Sequence, residues 1–80
     1  MIVNLYAVRD ELSNEFFAPQ IIKNDDMAKR QFKSQVNTIT LWKENPSDYS
    51  LYRIGTFDDE SGLITSDLEK MVGGRSVLNA

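Results

Sequence analysis

The stretch from Pro46 to Ile64 constrains the fold of this chain more than any other. Leu51 to Phe57 is rich in β-branched and aromatic residues, which suit a pleated, half-buried surface. Asp58-Asp59-Glu60-Ser61-Gly62 is polar and closes on a glycine, which can take the positive φ of a hairpin return. Leu63-Ile64-Thr65 opens a second apolar run. The pattern predicts a β-hairpin over residues 49–64, with a longer first strand and a short second one. Its residues suggest no catalytic constellation.

The segments before the hairpin supply its partners. Ile2 to Val8 reads as a strand, with Ile2, Tyr6 and Val8 on one face and Val3, Leu5 and Ala7 on the other. A strand apolar on both faces is central or covered twice. Arg9 to Glu15 reads as a loop, and Glu15 to Ala18 as a short strand returning against the first, ended by Pro19. Asn24 is a good N-cap, and Asp25 and Asp26 follow where carboxylates meet the positive end of a helix dipole. Ala28, Phe32 and Val36 recur at helical spacing, so a helix is expected from Asp25 to about Asn37. Leu41 to Glu44 could add one short turn.

After the hairpin, Ser66-Asp67-Leu68-Glu69-Lys70 resembles a capped helical turn, with Ser66 as cap and Glu69 three residues on. Gly73-Gly74 would stop it. Residues 67–80 are then a loosely ordered tail, or end in a strand-like segment. The expected fold is a single α+β domain over 1–80. It has a small antiparallel sheet of about four strands in ββαββ order, one main helix packed on one face, and a short C-terminal helical turn.

Composition excludes several function classes. Cysteine and histidine are both absent, which removes disulfides, thiolate metal sites, the commonest general base and any His-centred triad. No metal or other cofactor is expected, and no enzymatic activity. The net charge of −3 argues against a dedicated non-specific nucleic-acid binder, which is usually basic. No apolar run approaches the ~20 residues of a membrane span. The start, Met-Ile-Val-Asn-Leu-Tyr, has neither a basic region nor a cleavage site, so no signal peptide and a cytoplasmic location are expected. A core this small gains stability by association, which points to a homo-oligomer, most simply a dimer.

Charge is distributed unevenly. Lys23, Lys29, Arg30, Lys33 and Lys43 cluster in and around the predicted helix, whereas Asp48 to Glu69 holds six acidic residues and one basic one. Lys29, Arg30 and Lys33 share a helix flank by spacing. The ordinary reading is a solvated face with Asp25–Lys29 and Asp26–Arg30 pairs. The functional reading is a phosphate-contacting patch. Aromatic side chains on a sheet can stack bases, but in so small a protein most of them must build the core. Trp42, Tyr52 and Arg53 are the stacking candidates, because they flank polar neighbours. The acidic run Asp58-Asp59-Glu60 is read as a solvated tip, since Ser61 breaks the EF-hand pattern.

A set of segments in order carries a family resemblance. They are Tyr6-Ala7-Val8-Arg9-Asp10, Phe17-Ala18-Pro19, Ala28-Lys29-Arg30-Gln31-Phe32, Val36-Asn37 and Pro46 to Asp58, with Gly62 after them. Together they resemble the small nonstructural protein of gokushovirus-type microviruses, phages with circular single-stranded DNA. The resemblance covers about Met1 to Ile64. It implies a non-catalytic protein made in the infected bacterial host. By analogy with the C protein of related microviruses, it would act in viral DNA replication and packaging. No site residue comes with it. Two partners are compatible: single-stranded DNA or the viral replication complex, met by the helix flank, or a viral or host protein met by the hairpin without any DNA affinity.

Overall fold

The structure is a computed structural model and describes residues 1–79. It is α+β, with five antiparallel strands, β1 (Ile2–Asp10), β2 (Glu15–Phe16), β3 (Gln20–Ile22), β4 (Tyr49–Asp58) and β5 (Ile64–Gly73). The helices are α1 (Asp25–Thr38), α2 (Thr40–Glu44) and α3 (Gly74–Val77), and Pro46–Asp48 forms a 3-10 turn. β1 is central, as its two apolar faces require. β2 and β3 lie one after the other along one edge of it, β4 along the other, and β5 beyond β4.

α1 begins where the sequence says it should. The Asn24 side chain accepts the Met27 amide proton at 2.9 Å, which satisfies one of the free N–H groups of the first turn. Ala28, Phe32 and Val36 form its buried stripe. Ile39 leaves the helix in an extended conformation, and the chain re-enters a helix at Thr40. This break turns Trp42 inward. The core is Tyr6, Ala28, Phe32, Val36, Trp42, Tyr49 and Leu51, with Val8, Ile22, Met71, Val72, Val77 and Leu78 packed around it. Trp42 and Tyr49 stack at 4.6 Å, and Phe17 leans on both.

The hairpin forms and is much longer than expected, because the second strand runs on through Gly73. The predicted helical turn at Ser66–Lys70 is strand. A lone turn costs nucleation entropy for few hydrogen bonds, whereas the strand gains a ladder with β4 and the ion pair between Arg53 and Glu69. The tail expected from residue 67 is ordered in the same way. Asn37 anchors the segment after β5, donating from Nδ2 to the Val77 carbonyl at 3.0 Å and accepting the Asn79 amide at 2.7 Å. Ala80 lies outside the described residues. β3 was not expected. Gly62 turns the hairpin at φ 77°, and Gly55 marks the site where Ile54 bulges out of register with β1.

The molecule is elongated, 42 × 24 × 16 Å. The core lies against one end of the long hairpin. The other end, carrying Ile2, Phe57 and Ile64, projects beyond it and ends in the acidic tip.

Candidate nucleic-acid interface

Lys29, Arg30 and Lys33 all lie exposed on α1, away from its buried stripe. Lys23 immediately precedes the cap of the same helix, and Lys43 is exposed on α2. None of these five cations forms an ion pair among the described residues. Neither pair expected from spacing forms among the described residues: Asp26 and Arg30 both lie exposed without an ion pair, and Asp25 is engaged away from Lys29. Its carboxylate accepts the Tyr6 hydroxyl at 2.5 Å and binds the Arg53 guanidinium at 3.1 Å. The Tyr6 hydroxyl is pushed above its ordinary pKa, first by burial and then by this bond to a carboxylate. Arg53 is held still more firmly protonated by Glu69 and Asp25.

The other candidates separate. Arg53 is neutralised by its two carboxylates and faces α1. Tyr52, its neighbour on the strand, points to the opposite face, as alternation demands. There it meets the Phe16 ring edge-on at 5.2 Å, and its hydroxyl reaches Glu11 at 3.4 Å. Trp42 is only 9% exposed, with its ring against Tyr49 and Phe17. It is a core residue, buried against aromatic neighbours. Its polar sequence neighbours suggested exposure, but on a short helix they point outward while it points in.

At the acidic tip, the N-terminal ammonium binds Asp59 at 2.7 Å and Glu60 at 3.4 Å, and Asp58 accepts the Glu60 amide at 3.0 Å. That amide bond holds the Asp58 carboxyl below its usual pKa. The tip carboxylates are thus used as turn and terminus partners. Among the described residues no group of three or more His, Cys, Asp or Glu side chains could hold a metal ion.

A feature that the sequence did not announce is a cavity of 340 Å³ between α1 and the link from β2 to β3. Phe17, Ile39 and Trp42 line it with Gln20, Gln31 and Gln35, and Gln31 donates to Gln20 at 2.7 Å. Glutamines scattered over a loop and a helix carry no recognisable spacing, so only the fold brings them together.

The phage ORF5 protein family matches residues 3–77 of the chain. The chain belongs to that family. It is therefore a phage protein, and the match takes in β5 and α3 as well as the segments that carry the microvirus resemblance. No curated protein and no solved structure matches it. Among the described residues no helix of this phage ORF5 protein is long and apolar enough to cross a membrane.

Proposed function

We propose that this phage ORF5 protein is a non-catalytic component of viral DNA replication or packaging in the infected cell, contacting single-stranded DNA phosphates through Lys29, Arg30 and Lys33. One observation carries the reading: Asp25, the acid that would neutralise Lys29 along the helix, is held by Tyr6 and Arg53. Lys29 is therefore left without its helical partner, Arg30 forms no ion pair with the exposed Asp26 among the described residues, and the carboxylates of the tip lie at the far end of the hairpin. A local basic patch attracts phosphate despite an acidic total, because Coulomb forces beyond a Debye length of ~10 Å are screened. The resemblance to microvirus nonstructural proteins supports the process, and the geometry supports the surface.

The test is fluorescence anisotropy of a labelled single-stranded oligonucleotide, titrated at several salt concentrations. Three cations predict a slope of log affinity against log salt of about −2. Lys29→Glu with Lys33→Glu should abolish binding and leave the far-UV circular dichroism unchanged, because both residues are exposed. Intact binding by the folded double variant, or no binding by the parent at low salt, would overturn the proposal. The second result would favour a purely protein-directed role.

A further inference from the structure

The distal part of the sheet face turned away from α1 has no covering layer among the described residues. Tyr6 reaches Asp25 on α1, so strand alternation places Val3, Leu5 and Ala7 on the far face. Cross-strand partners share a face, which adds Phe57 and Ile64 beside Val3, and Ile21 beside Leu5. Near the core the chain closes this face itself, with Phe16 against Tyr52 and the Arg9 guanidinium 5.1 Å from the Phe16 ring centre. Farther along nothing does so: Ile64 is 62% and Ile21 59% exposed.

The whole molecule shows the same deficit. Its accessible surface is 5343 Å², against about 4,900 Å² for a compact monomer of this mass. Its radius of gyration is 13.0 Å, against about 11.6 Å for a compact domain of this length.

We propose that a second copy of this chain covers this face, the two sheets packing back to back about a twofold axis. The molecule measures 42 × 24 Å along its two longer axes, so a back-to-back contact along the sheet can approach the ~800 Å² per partner that a stable interface buries. Charge selects the same chain as occupant. Lys70 pairs across from Tyr52 on this face and has no ion partner among the described residues. Asp58, Asp59 and Glu60, at the other end of the hairpin, share a single ammonium group. An antiparallel twofold sets each Lys70 toward the acidic tip of its mate, so both ends are balanced at once. The free edge of β5 is a poorer site, because its register shifts and its Asp67, Glu69 and Lys70 side chains interrupt an added ladder.

Sedimentation equilibrium over a wide concentration range tests this, on the full chain and on three variants. The parent should be dimeric. Ile64→Glu and Ile21→Glu, each placing a charge on an already exposed position, should sediment as folded monomers. Met27→Glu, a change at another exposed apolar position, on α1, should remain dimeric. A parent that stays monomeric throughout would overturn the proposal. So would a dimer that survives both sheet variants, or one that Met27→Glu dissolves.

Discussion

The two ends of the long β4–β5 hairpin are built on different principles. At the Tyr49 end the sheet is half of a two-layer core, and Tyr6, Phe32, Val36 and Leu51 are almost completely removed from water. At the Ile64 end the same strands continue with no helix above them among the described residues, and apolar side chains stand open. The first end owes its stability to burial, roughly 25 cal/mol per Å² of apolar surface. The second has the backbone ladder and the hydrogen bonds of the turn. A small protein thus concentrates its folding energy at one end and leaves apolar side chains open to solvent at the other.

The largest expected effect is at the buried end. Phe32→Ala should cost about 3–5 kcal/mol, because it empties the centre of the core that the helices and the sheet share. Ile64→Ala, measured by urea denaturation on the same scale at concentrations where the chain is monomeric, should change stability by less than about 0.5 kcal/mol. Equal costs at the two sites would abolish the contrast.

How much of this was legible depends on the range of the interactions involved. α1 was readable because its signals are local: the Asn24 cap, two acidic residues in the first turn, and Ala28, Phe32 and Val36 at helical spacing. The returning strand at Glu15 was readable for the same reason. β5 was misread because Ser66 and Glu69 imitate a capping box, and only pairing with β4 overrides that local preference. β3 was missed because three residues between Pro19 and a helix cap hold too little pattern. In the candidate interface, the positions of Lys29, Arg30 and Lys33 were legible from helical spacing. The loss of Lys29's helical partner was not, since it depends on Asp25 meeting Tyr6 and Arg53 across the sheet.

The junction between the ends offers the next sharpest test. Gly55 has φ +156°, and a Cβ there would lie 2.1 Å from the Thr65 carbonyl oxygen. That atom belongs to the backbone of β5, so relief requires the strand to move. Gly55→Ala should therefore cost on the order of 1–3 kcal/mol. Amide exchange should locate the damage: Thr65 and Ser66 lose protection, while the α1 amides lose only what the drop in global stability takes from them. A uniform loss across all elements would mean that the two ends unfold as one unit and that the distal hairpin has no independence.

The smallest effect separates the two ends by pH. Asp58 titrates below its unfolded value because its charged form accepts the Glu60 amide. Its contribution is present above the unfolded carboxylate pKa of about 3.9 and fades as pH falls through the lower folded value. Tyr6 and Tyr49 lie above their ordinary value, chiefly through burial. Their neutral forms belong to the folded state, so that contribution is complete below the unfolded tyrosine value of about 10 and is lost as pH rises through the folded values. Acid should thus loosen the tip, with Glu60 and Ser61 amide resonances shifting before global unfolding. Alkali should lower the melting temperature of the whole protein as the tyrosines ionise. Asp58→Asn should remove the acid-side response of the tip and leave the alkaline limb in place. If it shifted the alkaline limb as well, the tip and the core would be coupled, and the open end of the hairpin would be an extension of the folding unit.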